Sequence, residues 1–209
     1  MAAMSVESSR ALALETVARL RQAGYLALFV GGCVRDRLLG VTPGDYDVAT
    51  NARPAGIERL FPDAIAVGAS FGVMLRRKGG AQTEIATFRS EGEYGDGRRP
   101  DAVRFEETPE TDSRRRDFTI NALYEDPATG EVLDFHGGRE DLELRHVRAV
   151  GDPGRRFAED HLRMMRAVRF AARLGFHIEA ATASAIRAHA AEIRKIAPER
   201  VRDELSRIL

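Results

Sequence analysis

This 209-residue sequence predicts a mixed α/β domain over about the first 150 residues, followed by an all-helical segment. Three observations lead there. Short apolar or alternating runs, punctuated by glycine, recur as far as residue 135 and read as strands. Amphipathic stretches of helical period lie between them. After Gly151-Asp152-Pro153 the strand signals stop and only helical patterns remain.

The elements follow in order. Residues 7–23 carry Leu12, Val17 and Leu20 roughly on one face, with Gly24 as a stop, and predict a helix. Residues 25–30 (YLALFV) predict a buried strand, Gly31-Gly32 a turn, and 33–39 a short helix ended by Gly40. Residues 45–48 fit a second strand, and Pro54 opens a helix to about Phe61. Three further strands are expected at 64–67, 71–77 and 83–88. Residues 89–112 hold glycines, two prolines and many charges, which predicts a long loop of the kind that serves function or moves. Residues 114–124 predict a helix, 131–135 a strand and 139–144 a short helix. Residues 155–174, 180–194 and 199–208 all predict helices, so the expected domains are 1–150 and 151–209.

Composition narrows the class. At 44% apolar residues the chain can bury a core, yet no apolar run reaches membrane-spanning length. The N-terminal stretch MAAMSVESSRALALE lacks the basic-then-apolar layout of a signal peptide. Cys33 is the only cysteine, which excludes an internal disulfide and makes the cytoplasm the default expectation. The formal net charge is zero, so there is no global basic signature of nucleic-acid binding. Locally, residues 145–173 carry eight arginines against three acids. Only two of the chain's cations are lysines, a skew that a GC-rich genome produces by itself. Position, rather than count, must therefore carry any argument from arginine.

The densest chemistry lies at 31–50, GGCVRDRLLGVTPGDYDVAT. In a strand, residues i and i+2 face the same side, so Asp45 and Asp47 would aim both carboxylates at one point. Oxygen donors of this kind suit Mg²⁺, which is typically held by one or two carboxylates plus substrate phosphates. Two such ions about 3.5–4 Å apart can activate a hydroxyl and stabilise a leaving pyrophosphate. Glu84, two strands later, is the candidate third carboxylate. Two acids in an ordinary turn are the simpler reading of Asp-x-Asp alone. A phosphatase of the Asp-x-Asp type would end a buried apolar strand at its first aspartate, whereas VTPG precedes this one. Gly31 and Gly32 sit between a strand and a helix whose N–H groups could face an anion, and Arg35 could add a charge-assisted contact. The simpler reading there is a tight turn and a surface arginine.

The second concentration is 159–170, EDHLRMMRAVRF. On a helix, Asp160 and Arg163 are neighbours on one face. An acceptor beside a donor fork matches the amine and ring nitrogen of cytosine (N4, N3) or adenine (N6, N1). Uracil and guanine present the reverse order and would leave buried groups unpaired, at about 1–3 kcal/mol each. Arg166 and Arg169 extend the stripe at i+3 spacing, within reach of phosphates. From helix geometry alone, the simpler reading is an intrahelical salt bridge on a solvated basic face.

Taken in order, these segments resemble the class II tRNA nucleotidyltransferase/poly(A) polymerase family, the CCA-adding enzymes and their relatives. GGCVRDRLLG…DYDVAT resembles the family's metal and triphosphate motif, and RRDFTINAL (115–123) its ribose-sensing motif. GGREDL (137–142) resembles the hinge-like motif between head and neck. EDHLRMMRAVRFAARLGF (159–176) resembles the base-recognition motif, and PERVRDEL (198–205) the last motif, on a neck helix. The resemblance implies a polymerase β-like nucleotidyltransferase head, a mixed sheet flanked by helices, followed by a helical neck. It implies that Asp45 and Asp47 bind Mg²⁺, and that Gly32, Arg35 and Arg116 contact the incoming nucleotide. Asp117, with Asn121 one helical turn on, would sense the ribose 2′-hydroxyl. Asp160 and Arg163 would read the base edge, with Arg166 and Arg169 nearby. The implied reaction is attack of a tRNA 3′-hydroxyl on the α-phosphate of CTP or ATP. Cys33, His136 and His161 would be packed bystanders. The resemblance covers head and neck only, since the chain stops at Leu209 and family members continue into body and tail domains. A-adding and poly(A)-adding relatives share the motifs. The 89–112 loop argues against a CC-only enzyme, and 64–77 lacks the arginine-rich signature of bacterial poly(A) polymerases. An idle RNA-binding module is the alternative from another class.

Overall fold

The computed structural model describes residues 6–68, 71–92 and 102–208. Helix α1 (Val6–Gln22) leads into β1 (Ala27–Val30), α2 (Gly32–Leu38), β2 (Asp47–Thr50) and α3 (Pro54–Leu60). Strands β3 (Ala64–Gly68), β4 (Val73–Lys78) and β5 (Ala81–Thr87) form an antiparallel meander. A two-stranded ribbon of β6 (Arg89–Glu91) and β7 (Val103–Phe105) precedes α4 (Pro109–Ser113). A 3-10 turn at Thr119–Asn121 then leads to β8 (Leu123–Glu125) and β9 (Val132–Asp134). The remainder is α5 (Gly138–Glu143), β10 (His146–Val147), α6 (Pro153–Glu159), α7 (Leu162–Leu174), β11 (His177–Ile178), α8 (Ala180–His189), a 3-10 turn and α9 (Pro198–Leu205).

Contacts divide the described chain into two compact units. The first holds 6–90, 103–113 and 123–135; the second holds 91, 92, 102, 114–122 and 136–208. A single cut near residue 150 therefore does not describe the packing. Residues 114–122 and 136–150 join the helical unit because their hydrogen bonds lie there: Phe118 bridges to Ala149, and Thr119 N–H donates to the Arg148 carbonyl.

The first unit is built on a seven-stranded sheet of order β3-β4-β5-β2-β1-β8-β9, with β2 and β5 parallel and the other neighbours antiparallel. Phe29, Val48, Ile85 and Met74 fall in one register row and are all buried. α1 packs on β1, β2 and β5 with Leu12, Ala13, Val17 and Leu20 buried; each large apolar side chain removed from water contributes about 1.5–3 kcal/mol. Arg76 is almost fully buried on β4, where it donates to Glu15, Asp63 and Thr16 and lies over the Phe61 ring. The opposite sheet face carries Leu28, Val30, Ala49, Phe88 and Tyr124, with Leu133 against them.

In the second unit, Leu162 and Met165 of α7 pack with Ile196, Ile193 and Val201. Phe118 and Phe170 meet edge to face at 5.8 Å.

Several expected elements differ. The helix expected at 114–124 is a short 3-10 turn followed by a strand, because Asp117, Phe118 and Thr119 are tied in extended form to 148–150. The helix expected at 155–174 is two helices: Asp160 is extended (φ −140°, ψ 104°), and its carboxylate accepts the Leu162 N–H. The helix expected at 180–194 turns 3-10 after His189. The expected loop 89–112 contains the β6–β7 ribbon and the start of α4, and its stretch 93–101 lies outside the described residues. Among the described residues, no helix is long and apolar enough to cross a membrane.

Candidate functional site

In the first unit the antiparallel register sets Val30, the last residue of β1, opposite Asp47, the first of β2. The Gly31-Gly32 turn thus begins beside the carboxylate pair. Gly31 takes φ 76°, ψ −125°, a conformation essentially confined to glycine, and its N–H donates to the Leu123 carbonyl at 3.0 Å. Gly31→Ala is expected to destabilise by about 1–3 kcal/mol, read by thermal denaturation. An unchanged melting temperature would show that the turn tolerates a side chain.

Arg35 is buried, contrary to a surface arginine, and its guanidinium pairs with Asp36 at 2.6 Å. A Cβ built on Gly32 would lie 3.7 Å from that guanidinium, so Gly32 and Arg35 are brought together. Cys33 is packed, as expected, 3.4 Å from the Val30 carbonyl. Its thiol is pushed up to about 12 by burial first, with the charges of Asp47 and Asp45 adding to the shift.

Asp45 is exposed and Asp47 half-buried. Register places Glu84 beside Asp47, since Val48 pairs with Ile85 in parallel. The Glu84 residue is solvent-accessible overall, but the surroundings of its carboxyl push its pKa up, and the nearby Asp45 charge pushes it further. Among the described residues no group of three or more His, Cys, Asp or Glu is close enough to hold an ion together. Asp45 and Asp47 bring two oxygen donors to the start of β2 with Glu84 on the neighbouring strand, a donor chemistry that suits a hard divalent cation.

In the second unit, Arg116 is half-buried just before Asp117. Asp117 accepts from the Phe118 N–H at 2.8 Å and from the Asn121 amide at 3.3 Å, although the two residues share no α-helix. Its other oxygen takes both Arg166 Nε and Nη2, at 2.8 and 2.6 Å. Burial alone would raise the Asp117 carboxyl; the Arg166 charge and hydrogen bonds outweigh it and hold it below its ordinary value. Asp141 sits behind this turn and accepts from Thr119 Oγ1 at 2.6 Å and Arg148 Nη2 at 2.8 Å.

Asp160 and Arg163 are not a shared helix face. Asp160 ends α6, its carboxylate accepts the N–H of Leu162 at the start of α7, and it pairs with Arg200 at 3.4 Å. Arg163 is buried, held by Glu159 at 2.8 Å and by the carbonyls of Arg115 and Arg156. Arg166 and Arg169, expected on a solvated stripe, are both engaged. Arg169 is buried over the Phe170 ring with its Nε 2.8 Å from Glu204, close in distance though not aligned for a hydrogen bond. His161 is buried and packed as expected, its Nδ1–H donating to the Phe157 carbonyl. Sequence reasoning missed Glu159, Asp141 and Glu204 as partners of these residues. Only Glu159 left a local signal, its i,i+4 spacing to Arg163.

A family model described as "Poly A polymerase head domain" matches residues 27–148, and one described as "Probable RNA and SrmB- binding site of polymerase A" matches 175–209. The CCA-adding enzyme of Limosilactobacillus fermentum is 46% identical over 195 residues, 92% of this chain and 48% of the relative. The structure is similar to that of the Bacillus stearothermophilus CCA-adding enzyme in complex with CTP, with a TM-score of 0.86 at 42% identity over 94% of this chain and 47% of that one. It is also similar to the Thermotoga maritima CCA-adding enzyme complexed with tRNA-CCA, with a TM-score of 0.77 at 28% identity over 95% and 46% of the two chains. The chain spans about half the length of the curated relatives it matches.

Proposed function

The chain belongs to the poly(A) polymerase head-domain family, and from that premise we propose that it is a template-independent RNA nucleotidyltransferase. It adds CMP and AMP from CTP and ATP to a tRNA 3′ end, releases pyrophosphate, and works in the cytoplasm. The observation that carries this reading is the β1–β2 register, which sets the Gly31-Gly32 turn and Arg35 against the Asp45/Asp47 pair. The solved relatives in complex with CTP and with tRNA-CCA support the substrates.

In this reading the first unit acts as the catalytic head and the second as the neck that reads the nucleotide. Nucleotidyltransferases of this kind use a divalent metal. Asp45 and Asp47 hold Mg²⁺, which when bound supplies Lewis acidity for the attacking hydroxyl and the departing pyrophosphate. Gly31 and Gly32 let the backbone approach the triphosphate, and Arg35 and Arg116 offset its charge. Glu84 adds negative charge beside the metal ligands. Asp117 accepts the ribose 2′-hydroxyl, with Asn121 fixing its orientation and Arg166 keeping it ionised. Asp160 accepts from the exocyclic amine of cytosine or adenine, and Arg163 donates to the adjacent ring nitrogen. Arg169 supports the same helix through Glu204. No side chain attacks; the protein's contribution is positioning and electrostatics.

Incorporation from CTP, ATP or both tests the proposal with Mg²⁺ and three RNAs: a tRNA ending before CCA, one ending after CC, and an unrelated RNA. Addition of C, C, then A to the first is the expected result. Addition of A alone to the CC-ending tRNA, or long A tails on every RNA, would replace CCA addition by A addition or poly(A) synthesis. CTP and ATP binding without incorporation would overturn transfer by this chain and leave a nucleotide-binding module.

A further inference from the structure

The residue between the two carboxylates is held through both its side chain and its carbonyl. Tyr46 points away from Asp45 and Asp47, into the face covered by α1. Its ring is buried 5.4 Å from Phe29, and its hydroxyl is hydrogen-bonded by Arg10 of α1. Its carbonyl accepts from the buried Thr83 hydroxyl at 2.7 Å.

That hydrogen bond lies beyond the end of the β2–β5 ladder. The parallel β2–β5 ladder starts at Val48 and Ile85. Two residues upstream in the same register, Tyr46 lies opposite Thr83, with no named ladder pair between their strands. A side-chain hydroxyl therefore extends the grip of β5 to the peptide between Asp45 and Asp47. Without it, the Tyr46 carbonyl would lose this donor, and the peptide leading to Asp47 would be held only from the β1 side, by the pairing of Asp47 with Val30 and its backbone contact with Cys33. The placement of the two carboxylates on either side would then be looser. Thr83 also precedes Glu84, so the same contact fixes the strand that carries the third charge.

We propose that Thr83 is a positioning residue for the Asp45/Asp47 pair, acting through the Tyr46 carbonyl, an inference that rests on reading that pair as metal ligands. Thr83 itself faces away from the metal side of the sheet and touches no reacting atom.

The test is a titration of the nucleotide-free chain with Mn²⁺, read by loss of the free-ion electron paramagnetic resonance signal, alongside the melting temperature. Thr83→Val keeps the shape and removes the hydroxyl. It is expected to raise the Mn²⁺ dissociation constant about tenfold, while Thr83→Ser, which keeps the hydroxyl, restores native affinity. A merely structural role would lower the melting temperature of both without this split in metal affinity. Native affinity in Thr83→Val, or equal losses in Thr83→Val and Thr83→Ser, would overturn the proposal. If Thr83→Val does not fold, Thr83→Ala, which leaves space rather than filling it, carries the same expectation. Asp45→Ala separates the two levels of the argument. If it binds Mn²⁺ as well as the native chain, the metal reading itself fails. If it loses the ion while Thr83→Val keeps it, only the positioning role fails.

Discussion

Asp45→Ala is expected to lower nucleotide transfer by about a thousandfold or more while leaving the fold intact. The two halves of that expectation come from different observations. Asp45 precedes β2 on an exposed turn, and no hydrogen bond or ion pair ties it to another described residue. A substitution at such a position changes stability by about 0.5 kcal/mol or less. Glu84 and Cys33 both register its charge, which raises the pKa of each. Its charge is thus an electrostatic burden in the metal-free protein, and its removal should let the Glu84 carboxyl titrate lower. A residue that repels its neighbours and supports no packing is retained for something outside the chain. Steady-state incorporation with a CC-ending tRNA and ATP measures the loss, and carboxyl chemical shifts measure Glu84. Retained transfer would sink the metal assignment; a large drop in melting temperature would show instead that Asp45 is structural.

How far the sequence reveals this arrangement depends on the range of the interactions. The first unit was legible because its strands are short apolar runs bounded by glycine, and because the Gly31 turn and the Asp45-x-Asp47 spacing are local patterns. The β1–β2 register follows from that alternation once the strands pair. The second unit was less legible. Periodicity across 155–174 is continuous, and nothing in an amphipathic pattern marks the extended residue at Asp160. An aspartate just before an apolar run is, however, the usual N-terminal signal of a helix. Residues 114–124 have helical composition but take their shape from hydrogen bonds to 148–150, some thirty residues away in sequence. The stripe of Arg163, Arg166 and Arg169 was placed correctly on one helix, yet its solvation was misjudged. Their partners Asp117 and Glu204 lie 49 and 35 positions distant from Arg166 and Arg169, beyond any local pattern. The burial of Arg35 is likewise set by the fold and not by its neighbours in sequence.

Arg166→Gln carries the other large expectation, a loss of about 3 kcal/mol at neutral pH that shrinks as the solution is acidified. The Asp117 side chain is only 10% exposed, and Arg166 supplies two short hydrogen bonds to one of its oxygens. Glutamine retains length and a donor but no charge. In the native chain the Asp117 carboxyl is held below its ordinary value of 3.8. Its stabilising contribution is therefore complete above that value and lost only as pH falls through the lower, folded pKa. In the variant the Arg166 charge no longer opposes burial, the largest influence on this group, and only neutral hydrogen-bond donors remain against it. The folded pKa then moves up, so the loss of stability is largest at neutral pH and shrinks in acid as the carboxyl takes up its proton. Arg166 is itself a third exposed, which keeps the estimate at the lower end of the range for broken buried pairs. Denaturant unfolding of both proteins across the acid-to-neutral range measures the difference directly. A loss of stability that does not change with pH would mean that Arg166 acts through packing against Phe170, 5.4 Å from its guanidinium, and not as the counter-ion of Asp117. A pH-dependent loss would establish that the Asp117 carboxylate is kept ionised by Arg166 of α7, so that a buried charge outside the helix depends on a residue within it.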